Sequence, residues 1–205
     1  MARYQRKDHL HQRAKKEGLR SRAAYKLDEV QQQFKLLSSG QRVADLGCWP
    51  GGWLEGAARL VGPAGRVVGV DRAEVDPPIP LPQVTALVGD LESPEMAATM
   101  LEALGGQPAQ VVLSDAAPKL TGVREIDRAH EERLLEAIEG LLPAILAPGG
   151  ALLIKILEGP EAQVIDRRLR AGFEKAKTTK LRSTRKGSTE RYLVARGYRG
   201  ATSAD

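Results

Sequence analysis

Four short apolar runs in this chain each end at or beside an aspartate. Arg42 to Leu46 carries Asp45, Arg66 to Val70 meets Asp71, Val84 to Val88 leads to Gly89-Asp90, and Val111 to Ser114 meets Asp115. Runs this short, without polar alternation, read as strands buried on both faces. Helical patterns fall between them. Strand alternating with helix predicts an α/β domain with a mostly parallel sheet. Ligands in such sheets bind beyond the carboxyl ends of the strands. One acid at a strand end is unremarkable. Four in chain order around a glycine turn mark a binding crevice.

The remaining elements complete the pattern. Ser21 to about residue 34 reads as an amphipathic helix with Ser21 as N-cap, because Ala24, Leu27, Val30 and Phe34 recur at helical spacing. Trp53 to Leu60 is helical. Ser93 caps a further helix with Pro94 at its first position. A long helix is expected near 126–146. Pro148-Gly149-Gly150 then turns the chain into a fifth strand, Ala151 to Leu157. A helix near 160–171 follows. The last strands fall near 173–180 and 190–196, with Arg185-Lys186-Gly187-Ser188 as a hairpin-like loop. No helix separates these two, so one runs antiparallel. The expectation is a single domain: a basic segment over 1–38, a core over 39–198 and a tail over 199–205.

Charge divides the chain. Residues 1–35 hold ten Lys/Arg against four Asp/Glu, and residues 166–199 hold twelve against three. The middle, 36–165, holds nine against eighteen. Basic ends around an acidic centre predict a polyanion-binding surface. In the second basic stretch Phe173, Leu181, Tyr192, Leu193 and Val194 interleave with the charges, which marks folded sheet rather than a solvated tail.

Several classes are excluded. Cys48 is the one cysteine, so neither an intrachain disulfide nor a cysteine metal cluster is possible, and a reducing, cytoplasmic setting fits. The basic start has no apolar stretch behind it, so no secretory signal is expected. The most apolar window, Leu141 to Leu157, is broken by Pro148-Gly149-Gly150 and contains Lys155, which argues against a membrane span. The histidines are His9, His11 and His130, and no metal is expected.

Gly47, Gly51 and Gly52 let the backbone approach a ligand before a helix N-terminus, where negative groups are favoured. Alone they make an ordinary strand-to-helix turn. Trp49 occupies the place of the second glycine of a dinucleotide fingerprint, and no P-loop motif occurs, so nicotinamide enzymes and P-loop NTPases are disfavoured. Asp71 suits a ribose diol, and Asp90 suits an adenine amino group. Together they favour an adenosine-containing ligand, best S-adenosylmethionine, whose carboxylate meets the helix N-terminus.

Asp45-Leu-Gly-Cys-Trp-Pro-Gly-Gly-Trp53 resembles the first motif of the FtsJ/RrmJ-type RNA 2′-O-methyltransferases. The segment Lys16 to Glu29, Ser114 to Gly122, Leu152 to Ile156 and Ser183 to Tyr192 resemble its other motifs in order, covering about residues 13–198. Two places depart from the common pattern. Asp115-Ala-Ala-Pro-Lys119 stands for Asp-Met-Ala-Pro-Asn, and Cys48-Trp49 stands for two alanines.

The resemblance implies a Rossmann-like class I fold with seven strands, the last antiparallel, and helices on both faces. It implies a catalytic tetrad at Lys26, Asp115, Lys155 and Glu190. Cofactor contacts are implied at Gly51, Trp53, Asp71, Asp90 and Asp115. The implied substrate is a uridine in the A-loop of 23S rRNA, in the large subunit.

Methyl transfer to a ribose hydroxyl requires alignment of oxygen, methyl and sulfur, and loss of the hydroxyl proton. Lys155, a charge inside Leu-Leu-Ile-Lys-Ile-Leu, is the group expected at the 2′-oxygen. It either takes the proton as a neutral amine or stabilises the alkoxide as a cation. Arg20, Arg22, Lys175, Lys180, Arg182, Arg185 and Lys186 are expected along a phosphate track. Aromatics make up only 4 % of the chain, so recognition is expected to lean on RNA shape and phosphates of an assembling 50S particle. A monomer without an obligate protein partner is the expectation. The alternatives are the same chemistry on tRNA, or a catalytically idle RNA-binding assembly factor. A small-molecule methyltransferase has no use for two strongly basic ends.

Overall fold

The computed structural model describes residues 9–118, 121–156, 160–184 and 187–200. Lys119, Leu157, Arg185 and Lys186 therefore lie outside the described residues.

The apolar runs all pair into one sheet of seven strands, ordered β3-β2-β1-β4-β5-β7-β6. β1 (Arg42–Leu46), β2 (Arg66–Asp71), β3 (Val84–Val88), β4 (Ala109–Ser114) and β5 (Leu146–Ile156) run parallel. β7 (Arg191–Tyr198) lies antiparallel between β5 and β6 (Phe173–Thr179). The chain moves outward from β1 to β3, then returns to place β4 on the other side of β1. The switch point is the β1–β4 pair, so the crevice opens at the carboxyl ends of those strands.

Among the described residues six helices accompany the sheet: α1 (His9–Lys16), α2 (Ala24–Phe34), α3 (Gly52–Val61), α4 (Met96–Ala103), α5 (Arg124–Ile145) and α6 (Pro160–Ala171). α2 and α3 bury Leu27, Val30, Leu54 and Val61 against Val67, Val111 and Leu153. On the opposite face α4, α5 and α6 bury Met100, Ile138, Leu142, Ile165 and Leu169 against Val68, Val112 and Leu152. Consecutive strand residues such as Val111 and Val112 thus enter different cores. Both faces are covered, which is why the strands lack polar alternation. The edge strand β6 carries exposed Lys175 and Lys177, charges that discourage pairing with another chain.

Local boundaries differ from the sequence reading in four places. Ser21 does not cap α2. The helix begins at Ala24, and Ser21 Oγ accepts the Ala23 N–H at 3.2 Å in the turn before it. Ser93-Pro94 likewise forms a turn, and α4 begins at Met96 with Glu95 at its cap. Both serines satisfy local groups, but packing of the apolar stripe sets where each helix starts. α5 passes directly into β5, because Leu146 already pairs with Ala109. Ala151 pairs with Val111, so Pro148-Gly149-Gly150 forms a bulge within β5 rather than a turn before it. α1 has no apolar stripe to announce it, since Ala14 is its buried residue. Arg13 pairs with Glu17 at 2.7 Å just beyond its end, and Glu17 in turn accepts from Tyr25 Oη at 2.7 Å.

Candidate active site

The turn after β1 is built on glycine. Gly47 sits at φ +79° and Gly51 at φ +101°. A Cβ on Gly47 would lie 2.4 Å from Ala116 Cβ, so the segments leaving β1 and β4 pass too closely for any side chain. Asp71 ties the same turn to the end of β2. Its Oδ2 accepts the Trp49 N–H and its Oδ1 accepts the Ala73 N–H, both at 3.0 Å.

Beside this turn opens a cleft of about 880 Å³, lined by Gly47, Asp71, Asp90 and Ala116 and by His130 and Arg133 from α5. That volume suits a nucleoside-sized ligand. Asp90 pairs with Arg72 at 2.8 Å. This contact and the Glu92 N–H hold its carboxyl below the usual range. Asp45 is buried between Asp71 on β2 and Asp115 beyond β4, and its Oδ2 has no hydrogen-bond partner among the described residues. Burial, then the charges of Asp115 and Asp71, push its carboxyl well above the ordinary value.

Four residues expected from the sequence converge beyond β4 and β5. Lys26, on the buried face of α2, places Nζ 3.1 Å from Asp115 Oδ2 and 2.9 Å from Glu190 Oε1. Lys155 donates from Nζ to the Asp115 carbonyl oxygen at 2.6 Å and lies 3.3 Å from Asp115 Oδ1. Burial pushes the Asp115 carboxyl up, but Lys155 and Lys26, with the Tyr192 and Lys26 hydrogen bonds, outweigh it and hold it below the usual range.

Tyr192 was not among the expected site residues, yet it stands at the centre of the cluster. It is fully buried. Its hydroxyl accepts from Lys26 at 2.6 Å and donates to Asp115 Oδ1 at 2.7 Å. Burial, with Asp115 and Glu190, raises its pKa far above the ordinary phenol value, so it stays a neutral donor. The signal was present in register: Tyr192 pairs directly with Lys155 across β5 and β7. Cross-strand partners share a face.

Glu29 was also overlooked. Its carboxylate accepts the Arg182 and Ser183 N–H groups at 2.8 and 3.0 Å and Ser183 Oγ at 2.9 Å. It thereby fastens the segment before Glu190 to α2.

Other expected residues take different places. Trp53 is buried, donates Nε1–H to the Ala23 carbonyl at 2.7 Å and packs 6.1 Å from the Tyr192 ring. It supports the cluster from beneath rather than lining the cleft. Gly51 caps α3 against Arg20, Val75 and Ile79. Arg20 donates to the Pro77 and Pro78 carbonyls at 2.6 and 2.9 Å, and Arg22 to the Ser183 carbonyl at 2.5 Å. Both arginines therefore stitch the N-terminal segment to neighbouring loops. Lys180 donates to the Ser188 carbonyl at 3.0 Å. No group of three potential metal ligands occurs among the described residues, and no described helix is long and apolar enough to cross a membrane.

A family model described as FtsJ-like methyltransferase matches residues 19–198. The chain belongs to the FtsJ-like methyltransferase family. Within it, the chain is 42 % identical over 194 residues to ribosomal RNA large subunit methyltransferase E of Methanothermobacter thermautotrophicus, covering 95 % of this chain and 91 % of that one. It is 40 % identical over 187 residues to the protein of that name from Pseudomonas aeruginosa PAO1, covering 91 % and 89 %. A solved Plasmodium falciparum structure described as a ribosomal RNA methyltransferase superposes with a TM-score of 0.75 at 26 % identity, over 88 % of this chain and 99 % of that one. Aeropyrum pernix fibrillarin, solved with S-adenosylmethionine bound, shares the fold at a TM-score of 0.57 and 16 % identity, over 78 % and 68 %.

As an FtsJ-like methyltransferase the protein uses S-adenosylmethionine. The crevice fits that group. Two acids, Asp71 and Asp90, stand on its wall for hydroxyl and amino donors, and the glycine turn admits close approach.

Proposed function

We propose that this methyltransferase modifies the ribose 2′-hydroxyl of a uridine in the A-loop of 23S rRNA. Its substrate on this reading is the large-subunit particle, and it acts in the cytoplasm as a monomer. The observation that carries the proposal is the cluster of Lys26, Asp115, Lys155 and Glu190 beside the cofactor crevice.

Asp71 and Asp90 hold the adenosine part of the cofactor, with Gly51 and Asp115 shaping the rest of its seat and Trp53 supporting it from beneath. Bound S-adenosylmethionine supplies an electrophilic methyl on a sulfonium. Lys155 meets the 2′-oxygen. Its Nζ already faces two acceptors, so it is arranged as a donor, and a donor aimed at the developing alkoxide lowers the barrier as the proton leaves to water. Asp115 orients Lys155 through both its carbonyl and its carboxylate. Lys26 and Tyr192 fix Asp115, and Glu190 fixes Lys26. Arg20, Arg22, Lys180, Arg182, Arg185 and Lys186 belong to the basic flank that receives RNA phosphates.

The test incubates the protein and methyl-labelled S-adenosylmethionine with 50S particles, 30S particles and total tRNA from cells lacking the activity. Label confined to 50S RNA is the expected result. Label in tRNA would keep the chemistry and overturn the substrate. Cofactor binding without transfer to any RNA would favour an assembly factor instead.

A further inference from the structure

Trp49 is 58 % exposed, and it is the one exposed aromatic side chain among the described residues. The other aromatics are buried or half-buried; Trp53, Phe173, Tyr192 and Tyr198 lie in the core. A lone exposed apolar residue is ordinary on a protein surface, and this one gains meaning from its place beside the cleft.

The loop presenting Trp49 is rigid. Cys48 before it is buried in the core, Pro50 follows it, and the Trp49 N–H is fixed on Asp71 at 3.0 Å. Gly47, two residues earlier, abuts Ala116, which adjoins Asp115. Asp71 and Asp115 end β2 and β4, with β1 between them. Two strand spacings separate such positions, about 10 Å. Gly47 and Asp71 both line the cleft, so the loop that carries Trp49 borders it at the Asp71 wall. A rigid ring loses little entropy when a partner settles on it.

We propose that Trp49 is the stacking platform for a base of the RNA that lies across the rim of the cleft. This rests on the RNA-methyltransferase reading given above. Single-stranded RNA is recognised by splaying out bases and stacking them on aromatic faces. The strongly basic terminal segments supply charge that guides the RNA backbone. Trp49 supplies an aromatic face and is a specificity-determining residue, acting on the RNA rather than on the cofactor.

The test compares wild type, Trp49→Ala and Trp49→Phe by steady-state kinetics on 50S particles lacking the modification, and by intrinsic fluorescence. Trp53 is shielded, so a quench on adding short oligouridylate reports Trp49. Trp49→Ala should raise KM for the particle about tenfold to a hundredfold, while KM for S-adenosylmethionine stays within twofold. Trp49→Phe should recover most of the loss. Oligouridylate should quench wild type and leave Trp49→Ala unchanged. A particle KM unaltered in an active Trp49→Ala enzyme would overturn the inference alone. A quench produced by S-adenosylhomocysteine and absent with oligouridylate would also overturn it, placing the ring over the cofactor. A wild-type enzyme inactive on every RNA would sink the functional reading and the inference together.

Discussion

The Tyr192 hydroxyl lies 2.6 Å from Lys26 Nζ, and through it a helix on one face of the sheet is joined to the catalytic strands. The same oxygen donates to Asp115 at 2.7 Å. Tyr192 thus transmits the position of α2 to the acid that orients Lys155. Tyr192→Phe keeps the ring packed on Trp53 and removes this link. The direct Lys26–Asp115 contact survives, so the fold should lose only about 0.5–1.5 kcal/mol by thermal unfolding. The methyl-transfer rate should fall more than tenfold with KM for S-adenosylmethionine unchanged. A variant with wild-type kcat would remove Tyr192 from the positioning of the cluster.

Asp45 carries the reverse electrostatics of Asp115. Its folded pKa is raised, so its contribution favours the fold below the unfolded carboxylate pKa and is lost as pH rises through the folded value. Its burial therefore lowers stability progressively as pH rises above the unfolded carboxylate range. Asp45→Asn should therefore raise Tm at pH 8 relative to wild type and shrink the difference between pH 5 and pH 8. Unfolding curves across that range decide it. Equal pH dependence in both proteins would show that the burial of this acid carries no such cost.

Glu29 works in the opposite pH window. Burial raises its pKa, but the Arg182 and Ser183 hydrogen bonds outweigh this, and the net shift is downward. Its stabilisation is complete above the unfolded carboxylate pKa and is lost as pH falls through the folded value. Glu29→Ala at pH 7 leaves two N–H groups without their acceptor and should cost about 1–3 kcal/mol in denaturant unfolding. Hydrogen exchange should quicken at Arg182 and Ser183 first. Unchanged exchange there would mean the segment is held by other contacts.

Gly47→Ala probes the close approach at the switch point. The new methyl group meets Ala116 Cβ at 2.4 Å on a backbone already at φ +79°. The turn must open, and affinity for S-adenosylmethionine should fall at least tenfold by calorimetry. Ala116→Gly added to it should recover part of the loss, because the clash partner is removed. Failure of any rescue would assign the defect to the φ value alone.

Most of the architecture was legible because burial on both faces leaves uninterrupted apolar runs such as Val67 to Val70 and Leu152 to Ile154. Their terminal acids mark the crevice in the sequence itself. Tyr192 was harder to see, since a tyrosine in Tyr-Leu-Val-Ala reads as another core residue until the β5–β7 register sets it opposite Lys155. Lys26 stands among polar residues of α2, where a lysine is ordinarily solvated, and is instead 7 % exposed, because α2 packs that face over the strand ends. The helix starts at Ala24 and Met96 were displaced from the serines for a related reason. Cap propensity is worth about 1 kcal/mol, and a tertiary stripe of buried side chains outweighs it.

The most direct measurement maps ribose methylation on 23S rRNA after incubation of unmodified 50S particles with wild type or Lys155→Ala. Alkaline cleavage reads each phosphodiester, because a 2′-O-methyl group blocks it. The account predicts one newly resistant linkage in the A-loop with wild type. It predicts a rate lower by about 10²–10⁴ with Lys155→Ala, which still binds S-adenosylmethionine. A Lys155→Ala enzyme that methylates the same linkage within tenfold of wild type, or label found on a base rather than a ribose, would contradict it.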